Sequence, residues 1–295
     1  MERRDDWKGG KCRMSLDKGS LRLLALDVDG TMLNDGGELS SRTRRTLLRL
    51  RDYGVELTLA TGRLYFGVRP LIDELEIRLP IITSNGARLT DPVTDQVLEE
   101  HRIANEVARE VLAYGEQYFP GDLFVNDADG FWIDEKNSLL QHRDPHPAVV
   151  RRIRQSKVLR SLSRELEVSP LKISFITRTG ADMAELAAQM ARHFGSVVEI
   201  TPSSETSLDV NARGVSKGRA LHNLVTRLGI PVSLTAAAGN AENDVEMLRL
   251  AGLGLAVANA PMAVQQAADC VIGSNNAEGV AAFFESWYGL GRGGK

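Results

Sequence analysis

The sequence predicts an α/β protein, a doubly wound, Rossmann-like parallel sheet into which a smaller α+β unit is inserted. Three observations carry this expectation. Short apolar runs alternate with helix-period segments near both ends of the chain, the pattern of βα units. Between about residues 88 and 210 that alternation gives way to hairpin-like pieces mixed with helical ones. At 295 residues, 43% of them hydrophobic, the chain is long enough for about two domains of ~150 residues and for a sizeable core. The expected organisation is a disordered tail over 1–20, an α/β core from 21–87 plus 211–295, and an inserted α+β cap over 88–210.

Each element has its own signal. Residues 21–26 form an oily run that reads as the first strand. Ser40 or Ser41 is a fitting N-cap for a helix reaching about Tyr53, and Gly54 is its stop. "VELTLA" (55–60) is a second strand that delivers "TGR", and "LPIITSNGA" (79–87) a third that delivers "SNGA". In the middle, "LFVNDADGFWIDE" (123–135) reads as a hairpin about Asp129-Gly130. Helical stretches near 104–118 and 181–193 and the strands "LKISFIT" and "SVVEIT" complete the insertion. Parallel text then resumes with a helix over 215–229, a strand and turn in "VSLTAAAGN" (232–240), a helix over 241–252 and the last strands "LGLAVANA" and "CVIG". Chain crossings into and out of the cap place hinges near 87–89 and 208–214.

Composition excludes several classes. A net charge of −3 leaves no global footprint for nucleic acid. The one basic cluster, in "SSRTRRTLLRLR", carries leucines at helical spacing and reads as a solvated helix face. No run approaches the ~18 apolar residues of a membrane helix, and the first twenty residues do not resemble a signal peptide. Two cysteines, Cys12 and Cys270, make no disulfide framework, which points to a reducing, cytoplasmic setting. The histidines at 101, 142, 146, 193 and 222 lack metal-ligand spacing, and Pro145 and Pro147 argue against a helix presenting His142 and His146 together. Oligomeric partners have no sequence signal.

The chemistry concentrates in "LLALDVDGTML" (23–33). Residues i and i+2 of a strand share a face, so Asp27 and Asp29 could reach one ligand at the strand end, with Gly30 permitting a sharp turn. Two close carboxylates invite a metal ion, a shared proton, or a division between nucleophile and acid. A calcium loop is excluded: Asp27, Asp29 and Glu38 fit its first, third and twelfth positions, but Met32 stands where glycine is required and a strand precedes it.

"DVDGTML", "TGR" (61–63), "SNGA", "SKG" at Lys217 and "GNAEND" (239–244) occur in one order with a cap-sized gap between the third and fourth. That order resembles the haloacid dehalogenase superfamily, specifically its Cof-like sugar-phosphatase branch, over about residues 21–288, and "VANAP" and "NNAEGVA" resemble that branch's late loop and last helix. The resemblance implies a Mg²⁺-dependent phosphatase acting on a small phosphorylated substrate. Asp27 would attack phosphorus and Asp29 would serve as acid and then base. Thr61 and Lys217 would hold the phosphoryl oxygens, and Gly30, Gly62, Asn85, Gly86 and Asn243 would line the phosphate site. Asp27, Asp29 through its carbonyl, Asn240 and Asp244 would hold Mg²⁺. Arg63 has either a structural or a substrate role.

One position departs from the family pattern. Asn240 stands where an Asp is usual, which keeps an oxygen ligand but removes a negative charge. A phosphomannomutase-like phosphotransferase and a catalytically weakened phosphometabolite-binding protein are therefore the rival readings.

Overall fold

The computed structural model describes residues 12, 16–128, 130–141, 156–177 and 183–290. His142, His146, the turn residue Asp129 and the terminal residues 291–295 lie outside the described residues. The chain forms two compact units, one from residues up to 98 and from 216 onward, the other from 99–215.

The first strands are β1 (Leu23–Leu26), β2 (Glu56–Leu59), β3 (Ile81–Thr83), β4 (Arg88–Thr90) and β5 (Val97–Glu100). Six more follow: β6 (Asp122–Asp127), β7 (Gly130–Asp134), β8 (Ser156–Leu159), β9 (Lys172–Ile176), β10 (Val198–Ser204) and β11 (Ser207–Ala212). The last are β12 (Thr235–Gly239), β13 (Leu253–Val257) and β14 (Cys270–Ile272).

In the first unit β14-β13-β12-β1-β2 form a sheet whose pairs are all parallel. Every residue of β1, β12 and β13 is buried, as expected of strands covered on both faces. Ser40 caps the helix Ser41–Arg49, its hydroxyl accepting from the Thr43 N–H at 3.0 Å, and Gly54 ends the following turn in the left-handed conformation. The arginines of that helix lie outward, and Arg42 pairs with Glu278 and Glu285 at 2.9 and 2.7 Å. A bridge between Ala60 and Ile82 carries the sheet on toward β3, which turns back through β4 to β5.

That turn-back moves the boundary of the insertion. Residues 88–98, expected in the cap, stay with the core because β4 pairs antiparallel with β3 and Leu89 joins the core cluster. The return crossing falls at 215/216 rather than 210/211. The second unit is a six-stranded sheet, β10-β11-β9-β6-β7-β8, with the β6–β7 hairpin where the sequence places it. Helices Asn105–Tyr118 and Met183–Phe194 pack on its apolar face through residues such as Val111, Leu112, Leu186 and Met190.

Of the expected tail over 1–20, residues 1–11 and 13–15 lie outside the described residues, and the rest depart from disorder. Leu16 is buried, Lys18–Ser20 form a turn, and Cys12 bridges to β14 and is joined to Cys270 by a disulfide with the Cα atoms 4.2 Å apart. The two cysteines, expected from their number to make no disulfide framework, meet because a bridge on the edge strand sets them opposite each other, and their count no longer argues for a reducing compartment. Among the described residues, no helix is long and apolar enough to cross a membrane.

Candidate active site

The parallel register assembles the site. Leu26 lies beside Leu59 on one side and Ala238 on the other, so the carboxyl ends of β1, β2 and β12 finish together. Each then delivers one motif: Asp27 directly after β1, Thr61 two residues after β2, and Asn240 directly after β12. This is the position at which open α/β sheets bind ligands.

Asp27 and Asp29 part company at the turn. The strand ends at Leu26, and the chain from Val28 to Met32 folds into a tight turn in which Gly30 adopts φ +71°. Asp27 is buried, whereas the Asp29 side chain is 60% exposed. The shared strand face expected of them therefore does not apply, because Asp29 lies in the turn beyond the ladder. Gly30 has a second constraint: a Cβ there would stand 2.6 Å from the Asn240 side chain.

Lys217 is the centre of the buried charge. It begins the helix Lys217–Leu228 behind the N-cap Ser216, is 1% exposed, and places its ammonium 2.7 Å from Asp27 Oδ1 and 2.6 Å from Asp244 Oδ1. Thr31 donates to Asp27 Oδ2 at 2.8 Å. Burial, then the neighbouring Asp244 charge, push the Asp27 carboxyl up to about 7 despite the lowering effect of Lys217. Burial works to lower the Lys217 ammonium, but Asp244 and Asp27 more than reverse it, so the lysine stays charged. One cation between two buried carboxylates leaves an excess of negative charge, which adds to the larger effect of burial in raising the Asp27 carboxyl.

Asp244 was expected among the metal ligands, and the structure gives it other partners. Besides Lys217, it accepts the N–H groups of Asn240 and Ala241 through Oδ2 at 2.8 and 2.9 Å. Both its oxygens thus fix the turn and orient the lysine. Asn243 donates to Asn85 Oδ1 at 3.1 Å, tying the "GNAEND" turn to the "SNGA" turn, where Asn85 has φ +61°. Gly86 lets that turn approach the lysine helix, since a Cβ there would lie 2.3 Å from the Ser216 carbonyl oxygen. Thr61 is buried and its hydroxyl accepts the Arg63 N–H at 3.1 Å, with half-buried Gly62 between them.

Thr31 has no role in the sequence analysis, and Arg63 has two open ones. Thr31 bridges Asp27 and Asn240, and its only sequence signal is its place after "DVDG". Arg63 grips the Asp29 carboxylate with Nε at 2.7 Å and Nη2 at 2.5 Å, a two-point pair that holds its guanidinium charged against the opposing effect of burial. Asn259 braces the turn by donating to the Gly30 carbonyl at 2.8 Å.

Asp27 Oδ2, the Asp29 carbonyl and the Asn240 carboxamide converge, the outer atom of the amide standing 3.1 Å from the first and 3.0 Å from the second. With the amide oxygen turned inward, that is a set of hard oxygen donors about as far apart as adjacent ligands of a cation bound at ~2.0–2.1 Å. The residues present fit Mg²⁺. Among the described residues no group of three or more His, Cys, Asp or Glu side chains offers another site.

A family model for haloacid dehalogenase-like hydrolases matches residues 24–284, and the chain belongs to that family. It is 32% identical to the HMP-PP phosphatase of Cronobacter sakazakii, covering 90% of this chain and 95% of that protein. It is 28% identical to the 5-amino-6-(5-phospho-D-ribitylamino)uracil phosphatase YcsE of Bacillus subtilis, over 90% of this chain and 96% of that one. A crystal structure of a haloacid dehalogenase-like hydrolase from Bacteroides thetaiotaomicron, 25% identical, matches with a TM-score of 0.73 over 90% of this chain and 99% of the other.

Proposed function

We propose that this phosphatase of the haloacid dehalogenase family hydrolyses phosphate monoesters of small sugar-like metabolites, with Mg²⁺ held by Asp27, the Asp29 carbonyl and Asn240. The observation that carries the reading is the division between the two aspartates: Asp27 buried against Lys217, Asp29 exposed and gripped by Arg63. When bound, Mg²⁺ supplies charge neutralisation for the phosphoryl oxygens.

In the first step a carboxylate oxygen of ionised Asp27 forms a bond to phosphorus as the ester P–O bond breaks, and Asp29, entering the step protonated and released from its two-point pair with Arg63, delivers that proton to the departing oxygen. In the second, water attacks phosphorus, Asp29 takes its proton, the bond between phosphorus and Asp27 breaks, and inorganic phosphate leaves. Lys217 and Thr61 compensate the phosphoryl charge throughout. Asp244 positions Lys217, and Arg63 positions Asp29. The sugar-like character of the substrate rests on the ordered motifs and on a relative named for a phosphoribitylamino compound. Specificity for the leaving group we assign to the second unit.

The test is phosphate release over a panel of phosphorylated metabolites, with and without Mg²⁺, with Asp27→Asn as the control. Mg²⁺-dependent release that the substitution abolishes supports the reading. Release unaffected by Asp27→Asn sinks the nucleophile. Phosphoryl return to a sugar hydroxyl, dependent on an added bisphosphate, replaces hydrolysis with a mutase reaction.

A further inference from the structure

Asn240 makes the cation position of this chain two-faced. The outer atom of its carboxamide lies 3.1 Å from Asp27 Oδ2, 3.0 Å from the Asp29 carbonyl and 3.1 Å from Thr31 Oγ1. With oxygen at that place, the amide accepts from Thr31 but faces two other acceptors, an arrangement that needs a cation among them. With nitrogen there, the same amide donates into those acceptors, and the N–H groups satisfy the oxygens that would otherwise hold the cation. Thr31 serves either state, since its single hydroxyl proton has two acceptors to choose between, the Asn240 oxygen at 3.1 Å and Asp27 Oδ2 at 2.8 Å. A carboxylate at residue 240 has no donor face and would only add a negative charge beside Asp27.

We infer that the Asn240 carboxamide takes the cation's place in the cation-free protein, with its NH₂ turned toward Asp27 and the Asp29 carbonyl, and turns its oxygen inward when a divalent cation binds. Cation binding must therefore displace hydrogen bonds that the protein already makes. The consequence is a site that is weak for Mg²⁺ and stable without it. Gly30 leaves the room for the turn, because any Cβ there would press on the amide.

The inference rests on the cation placement of the proposed function, and its test needs no substrate. Mg²⁺ binding is measured by calorimetry and thermal melting is followed in EDTA and in Mg²⁺, for the unaltered chain and for Asn240→Asp. With one more ligand charge, Asn240→Asp is expected to bind Mg²⁺ at least about tenfold more tightly. It is also expected to melt below the unaltered chain in EDTA and to gain more on adding Mg²⁺. Amide NMR of the unaltered chain provides a second reading that does not depend on the variant folding. One side-chain NH₂ pair, assigned by its loss in Asn240→Ser, should exchange slowly with water without cation and become fast on saturation with Mg²⁺. Equal affinity in the two proteins, or an NH₂ pair indifferent to Mg²⁺, overturns the amide exchange while leaving the phosphatase reading intact. Mg²⁺ binding to neither protein overturns the cation placement itself, and the inference with it.

Discussion

The two units use their sheets in opposite ways. In the core, β1, β12 and β13 are parallel, covered on both faces and apolar but for Thr235 at the start of β12, and the charged and amide side chains come beyond the strand ends, where Asp27 and Asn240 stand with Thr61. In the second unit, β6, β9 and β11 are antiparallel and alternate. Leu123, Val125, Ile173, Phe175, Leu208 and Val210 enter the helix-packed cluster, while Asn126, Lys172, Ser174, Asp209 and Asn211 share the opposite face. The parallel sheet leaves its chemistry to the strand ends, whereas the alternating antiparallel one carries a row of buried polar side chains along one face. Each unit also buries a lysine, but Lys217 meets two carboxylates at a strand-end crevice, whereas Lys172 meets Asp209 at 3.0 Å within the sheet, with Ser174 donating to the same carboxylate.

The sharpest way to break this contrast is Asp27→Asn, expected to lower phosphate release at least ~10³-fold, as loss of a nucleophile does; retention of a tenth of the activity would refute the core assignment. Next is Lys217→Met, which strands Asp27 and Asp244 together without their cation. Urea melts should show a loss of about 3–5 kcal/mol, partly restored in the double variant with Asp244→Asn, which stays inactive.

The raised carboxyl of Asp27 gives a pH signature. Between its ordinary 3.8 and about 7, the folded protein keeps a proton that the unfolded chain has lost, so cation-free stability should fall as pH rises through that window and level off above it. Melts in EDTA at pH 5 and pH 8 measure the fall, and Asp27→Asn should flatten it. In the second unit, Asn126→Ala removes a side chain that donates to Ser174 Oγ at 3.2 Å. Because Asn126 is buried, urea melts should show a loss of about 1–3 kcal/mol with phosphate release little changed, the reverse of the core pattern. The smallest effect belongs to the Cys12–Cys270 link: reduction should speed proteolysis ahead of residue 16 and leave phosphate release unchanged.

Much of this arrangement was legible in the chain. The apolar runs with motifs at their ends mark buried parallel strands, and the switch to hairpin text marks the insertion, because both are local patterns of period and turn chemistry. The limits of the insertion were less legible. Residues 88–98 read as cap because a hairpin looks alike wherever it docks, and only the ladder to β3 ties them to the core. Cys12 and Cys270 are 258 residues apart, and nothing local announces their meeting.

By itself, then, the sequence determined the fold class, the order of the motifs and the residue types available for phosphate chemistry, since these follow from hydrophobic period, turn-forming residues and the charge each side chain carries. Tertiary structure alone decided how those charges are shared. It buried Asp27 with Lys217, turned Asp29 outward to Arg63, engaged Asp244 with the lysine and the turn amides, and brought the Asn240 amide against Asp27. Such sharing depends on distances of about 3 Å between residues as many as two hundred positions apart, and no local pattern encodes them.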